Sequence, residues 1–130
     1  MATIRKEIVI RASPETVWDA VRDVFAVHER LVPGVLVDCR KEGGARVVTF
    51  ANGLVARELI VDVDDEARRF CWAAVGGRLT HHNASMQVFS DGPARTRLVW
   101  IADLLPDSLA PDIRGLMEMG SASIQKTLER

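Results

Sequence analysis

Tyrosine is absent from these 130 residues, and the aromatic complement is three tryptophans and four phenylalanines. Only two cysteines occur, Cys39 and Cys71, far apart and without C-x-x-C spacing, so they read as reduced core thiols. Neither sign of charge is in surplus: 17 basic and 18 acidic residues leave a formal charge of −1. With no basic stripe and no polybasic run, neither nucleic-acid binding nor docking on an anionic membrane is expected. No apolar run approaches the ~18 residues of a membrane span. The N-terminal residues Met1–Glu7 carry no apolar leader segment, so the expected location is cytoplasmic, with no membrane insertion. Gly-x-Ser-x-Gly is missing, and neither cysteine has a histidine near it in sequence, which removes the usual nucleophile signatures. The histidines do not build a metal site either. His81 and His82 are adjacent on an expected strand and leave opposite faces, while His28 stands apart. No metal and no cofactor is expected.

What is present is a regular alternation of strands and turns, in a length that fits one domain over 1–130. Thr3–Arg11 reads as a first strand. Ser13-Pro14-Glu15 then announces a helix: the serine caps free N–H groups, proline suits the first helical position and glutamate meets the positive helix end. Val17, Trp18, Val21 and Phe25 follow at helical spacing, and a second helical turn covers Val27–Leu31 before Pro33-Gly34. Six strands are expected next, Val35–Arg40, Ala45–Ala51, Leu54–Val63, Arg68–Val75, Leu79–Phe89 and Arg95–Ala102. Gly43-Gly44, Asn52-Gly53, Asp64-Asp65-Glu66, Gly76-Gly77 and Ser90-Asp91-Gly92-Pro93 punctuate them. Without room for crossover helices these strands are antiparallel. A long helix runs from a cap at Ser108 to about Glu129, with Leu109, Ile113, Leu116/Met117, Gly120, Ile124 and Leu128 on one stripe. A glycine on that stripe, costing ~1 kcal/mol relative to alanine, signals a close approach or a space left open. The fold class is α+β, a sheet curled around its last helix.

This order resembles the helix-grip fold of the START/Bet v 1-like (SRPBCC) superfamily. The carrying residues are Ser13-Pro14-Glu15-x-Val17-Trp18, Pro33 before Cys39, Arg57-Glu58-Leu59 before Asp64-Asp65, Gly76-Gly77, His82-Asn83-x-Ser85 and Thr96–Trp100. They are similar to bacterial polyketide cyclase/dehydrase-like proteins and, more distantly, to the plant abscisic-acid receptors. The resemblance implies an internal cavity between sheet and helix. It implies that Glu58, Trp72, Asn83 and Ser85 line that cavity, with Leu98 and Trp100 from the last strand and Leu116, Met119 and Ser123 from the helix. The receptors' cationic pocket lysine falls near Asp38 and their gating loop is reduced to about Phe50–Gly53, so carboxylate recognition and a hormone-style gate are not implied.

Strand alternation agrees that Leu98, Trp100 and Ala102 face inward. On Leu79–Phe89 the two arguments conflict. The binary pattern buries Ala84, Met86 and Val88. The resemblance turns His81, Asn83, Ser85 and Gln87 inward instead, and it is preferred here because ligand cavities are where local pattern rules fail. Glu58 is the leading site candidate, as an acid/base group or a hydrogen-bond partner for a ligand hydroxyl; the alternative is an ion pair with a neighbouring arginine. His81, if inward, pairs with it. Two functions follow: a carrier or sensor of a small hydrophobic or aromatic molecule, and a polyketide cyclase/dehydratase-like enzyme using Glu58 with His81. A third, an interaction module, rests on Val99 and Ile101 as an outward apolar patch fit for a homodimer. Whether the three tryptophans line the cavity or fill it stays open.

Overall fold

Ser13 starts the first helix as its chemistry dictates: its Oγ accepts the Thr16 N–H at 3.2 Å. The computed structural model describes residues 1–130. Strand β1 (Ala2–Ile10) leads into helix α1 (Pro14–Arg22), a 3-10 turn at Val24–Ala26 and the short helix α2 (Val27–Arg30). Strands β2 (Leu36–Glu42), β3 (Ala45–Phe50), β4 (Val55–Asp64), β5 (Arg69–Val75), β6 (His81–Ser90) and β7 (Thr96–Leu105) follow. Helix α3 (Ala110–Leu128) closes the chain. The strands form one seven-stranded antiparallel sheet in the order β1-β7-β6-β5-β4-β3-β2. Every hairpin from β2 to β7 joins sequence neighbours, and β1 crosses to pair with β7. This is the helix-grip architecture.

Glycine makes the tightest of these turns possible. Gly76 and Gly77 both hold positive φ, 88° and 62°, a region open to glycine but costly for residues with a Cβ. The β4–β5 turn is built differently. The Asp64 carboxylate accepts the N–H groups of Glu66 and Ala67, each at 3.0 Å, closing the turn on itself. Asp65 then ties this turn to α1, accepting the Trp18 Nε1–H at 2.9 Å and the Arg22 Nε–H at 2.7 Å. Hydrogen bonding from Arg22 and Trp18 holds the Asp65 carboxyl below the ordinary aspartate range.

One face of the sheet is concave and packs on the helices. Ile4, Ile10, Leu98, Leu104, Val17 and Ile124 are the largest side chains almost wholly removed from water there. Their burial, at roughly 1.5–3 kcal/mol for each large aliphatic side chain, is the main force holding α1 and α3 to the sheet. Ser108 does not cap α3. It lies in a 3-10 turn at Asp107–Leu109, and no side chain caps the helix. The outward patch expected at Val99 and Ile101 is not open either. Val99, opposite Glu7 and Gln87 on the neighbouring strands, is only 7% exposed, and Ile101 is half-buried. No helix is long and apolar enough to cross a membrane.

Candidate binding cavity

Register decides which side chains meet on the concave face. Arg46 stands opposite Glu58, Glu58 opposite Ala74, and Trp72 opposite both Ile60 and Ala84. Because side chains alternate along a strand, Ala56, Glu58, Trp72, Ala74, Ala84 and Trp100 all point the same way, towards α3. Between them and the helices lies a cavity of about 170 Å³. Its wall is largely hydrophobic: Val21 and Leu31 from the α1–α2 region, Phe70 and Trp72 from β5, Ile113 and Met117 from α3. Leu54, on the β3–β4 connection, lines the cavity while remaining about half exposed, and so marks its mouth.

Only Arg46, Glu58 and His82 bring titratable groups to this wall. Arg46 is 4% exposed and held from two sides. Its Nε–H donates to Glu58 Oε1 at 2.8 Å and its Nη1–H to the Val24 carbonyl at 2.7 Å. Its guanidinium also lies 5.2 Å from the Phe70 ring centre and 5.8 Å from that of Trp72, within cation–π range. One side chain thus joins β3, β4, the aromatic wall and the turn between α1 and α2. His82 Nδ1 accepts the Ala74 N–H at 2.9 Å. Burial pushes its imidazole below the ordinary histidine range, and the negative charge of Glu58 partly opposes that shift.

The aromatic wall is a graded stack. Phe70 and Trp72 lie 4.9 Å apart and nearly parallel, and Trp72 and Trp100 are 6.3 Å apart and tilted by 47°. Trp100 in turn is fitted to Gly120 of α3. A Cβ at position 120 would come within 2.9 Å of Trp100 Cζ3 and Cη2, closer than such atoms approach. The helix glycine therefore exists to admit the indole. We expect Gly120→Ala to lose roughly 1 kcal/mol net in urea unfolding. Overpacking costs ~1–3 kcal/mol and the better helix propensity of alanine returns up to ~1. The Trp100 indole resonance will move as well; an unmoved resonance with gained stability would refute the close fit.

The expected site residues divide cleanly in space. Glu58, Trp72, Trp100 and Leu116 lie on the cavity wall. Leu98 faces the same side but is fully buried in the core away from that wall. On β6 the expected orientation is reversed: His82, Ala84 and Met86 face the cavity, while His81, Asn83 and Ser85 leave by the other face. The physical reason is register, since Trp72 sits opposite Ala84 and only even-numbered β6 residues share its side. Met119 is on the solvent side of α3, with Met117 in its place. Ser123 is half-buried and spends its hydroxyl on the Pro33 carbonyl at 3.0 Å, tying α3 to the loop before β2. Asp38 is exposed, opposite Thr49. Burial raises both cysteine thiols, which keeps them protonated and unreactive. Phe70 and His82 were not expected on the wall; Met117 lies on the expected inward stripe of the helix, and Arg46 supplies the ion pair that was the alternative for Glu58. A lone cation inside the apolar run Ala45–Phe50 was the available signal for Arg46, and binary alternation was the signal for His82.

Fold and cavity together define a helix-grip protein of the START/Bet v 1-like kind. The chain belongs to the polyketide cyclase/dehydrase and lipid transport family, whose model matches residues 1–130. Among solved structures it is similar to XoxI from Bacillus cereus, at 17% identity and a TM-score of 0.88 over 98% of this chain and 96% of that one. A START superfamily protein from Mycobacterium smegmatis aligns at 15% identity and a TM-score of 0.78, covering 98% and 97%. Norcoclaurine synthase from Thalictrum flavum aligns at 18% identity and a TM-score of 0.76, covering 96% and 84%. At these identities the likeness speaks for the fold alone. No curated protein sequence matches the chain.

Proposed function

We propose that this protein binds a small hydrophobic or aromatic molecule between its sheet and α3, as a carrier or sensor. The observation that carries the reading is the cavity itself. Trp72, Trp100, Phe50 and Phe70 all reach that space, yet about 170 Å³ stays open behind a mostly apolar wall. Ligand sites of small proteins are of this kind, apolar with a few polar groups to orient the guest. The family's description, which spans cyclases, dehydrases and lipid transport, supports binding of an apolar guest and leaves its fate open.

Native mass spectrometry of the purified protein, followed by titration with toluene, tests the reading. A released small molecule or a toluene-dependent rise in melting temperature is expected for the natural sequence. Both are expected to vanish in Ala74→Leu, whose side chain would grow into the cavity. A bare chain that toluene does not stabilise would sink the proposal, as would a ligand retained equally by Ala74→Leu. A second reading is favoured by Glu58 and His82 reaching the same wall: proton transfer to a bound ketone, as in a cyclase or dehydratase, with His82 in the place expected for His81. Chemical change of the bound molecule during incubation distinguishes that enzyme from a carrier, which releases its guest unaltered.

A further inference from the structure

The polar row on the cavity wall is electrically closed. Arg46 is neutralised by Glu58, its Nη1 is committed to the Val24 carbonyl, and His82 is held towards its neutral form. No spare charge remains to compensate a carboxylate or an ammonium group, and burying either one unpaired is prohibitive. Beside the Trp100 Nε1–H, which is buried without a partner, two hydrogen-bonding capacities remain on the Glu58–His82 pair. Glu58 Oε1 receives Arg46, while Oε2 has no hydrogen bond within the protein. His82 Nδ1 is an acceptor for Ala74, so the neutral ring carries its proton on Nε2, and that donor has no protein partner. Acceptor and donor flank one backbone position, since Ala74 pairs with Glu58 on one side and gives its N–H to His82 on the other.

A hydroxyl is the simplest single group that satisfies both, donating to the carboxylate while accepting from the imidazole. A ketone only accepts and leaves the Glu58 oxygen unserved. Size narrows the class further. An apolar cavity of about 150 Å³ takes up benzene, and this one, at about 170 Å³, has room for one ring. Building on the small-molecule reading above, we infer that the cavity selects a neutral, single-ring molecule bearing one hydroxyl, a phenol-type ligand. Its oxygen bridges Glu58 and His82 and its ring lies against Trp72.

Calorimetric titration of the full chain with phenol, toluene, benzoate and 2-naphthol tests this. Phenol and toluene are nearly isosteric, and an unaided apolar cavity prefers toluene because the hydroxyl must leave water. The expected order is the reverse, phenol about tenfold tighter than toluene, which corresponds to one to two well-made hydrogen bonds. Benzoate and 2-naphthol should not bind measurably. In His82→Leu the order should revert to toluene over phenol. In the natural sequence, read by nitrogen-15 NMR, the His82 Nε2–H signal should shift with phenol and stay put with toluene. That measurement holds even if His82→Leu folds poorly. Toluene binding as tightly as phenol, or an Nε2–H signal blind to phenol, overturns the hydroxyl assignment while leaving the cavity reading intact. Equal binding of 2-naphthol overturns the single-ring limit, and equal binding of benzoate overturns the neutrality. If neither phenol nor toluene binds, the cavity reading itself fails and takes this inference with it.

Discussion

Replacing Arg46 with methionine will cost about 3–5 kcal/mol of stability, a large share of the ~5–15 kcal/mol that holds a domain together. The loss exceeds what one ion pair contributes, because the substitution strands its partners. Glu58, with its side chain 12% exposed, keeps a charge in an apolar wall with no cation beside it. The Val24 carbonyl loses its donor, and the Phe70 and Trp72 faces lose the guanidinium over them. Arg46→Lys is expected to recover only part of the loss. A single ammonium cannot reproduce the forked geometry that reaches Glu58 and Val24 at once. The informative variant is the double replacement Arg46→Met with Glu58→Leu. Removing both charges avoids the stranded carboxylate, so most of the stability should return, although the cavity will have lost its polar row. Urea unfolding of the two singles and the double reads the coupling directly. Singles that cost under 1 kcal/mol would mean that water reaches the pair freely.

Trp72→Ala is the second large effect, also about 3–5 kcal/mol. Trp72 is in contact range of Phe70 on one side and Trp100 on the other, and it forms part of the cover over Arg46. Its loss opens a space of roughly indole size beside the existing cavity. The variant should therefore admit 2-naphthol, which the natural cavity is expected to refuse. Fluorescence titration of 2-naphthol against both proteins measures the change. A destabilised variant that still excludes the two-ring probe would show that Phe70 and Trp100 collapse into the gap.

The helix-grip order was legible because its punctuation is local. Asn52-Gly53, Gly76-Gly77 and the Ser13-Pro14 cap act within a few residues of themselves, and each lies where an element ends or begins. The apolar stripe of α3 was equally readable, since Ile113, Met117, Gly120 and Ile124 repeat at helical spacing. The site was less so. On β6 the alternation of Ala84, Met86 and Val88 already said which face is buried, and the resemblance that argued otherwise carried no register. Register is a relation between strands, and Trp72 opposite Ala84 settles it. Met119 was misplaced by a similar margin, two positions along a helix that turns about 100° per residue. An arginine beside Glu58 was readable, but which one was not, because Arg46 owes its role to Val24, Glu58 and two rings that meet it only after folding.

The crossing of β1 to β7 has a consequence for how the chain is made. Ile4, Ile8 and Ile10 leave the ribosome early, but their partners Ala102, Leu98 and Thr96 are among the later residues to emerge. At ~5–20 residues per second, about ninety more residues take roughly 5–20 s to follow. Through that interval the β7 edge that the first strand joins does not yet exist, whereas each hairpin from β2 to β7 has its partner close behind it in sequence. An isoleucine-bearing segment waiting in the open is one that a ribosome-associated chaperone would hold. Moving β1 to follow α3 by circular permutation would shorten the wait to the synthesis time of one helix.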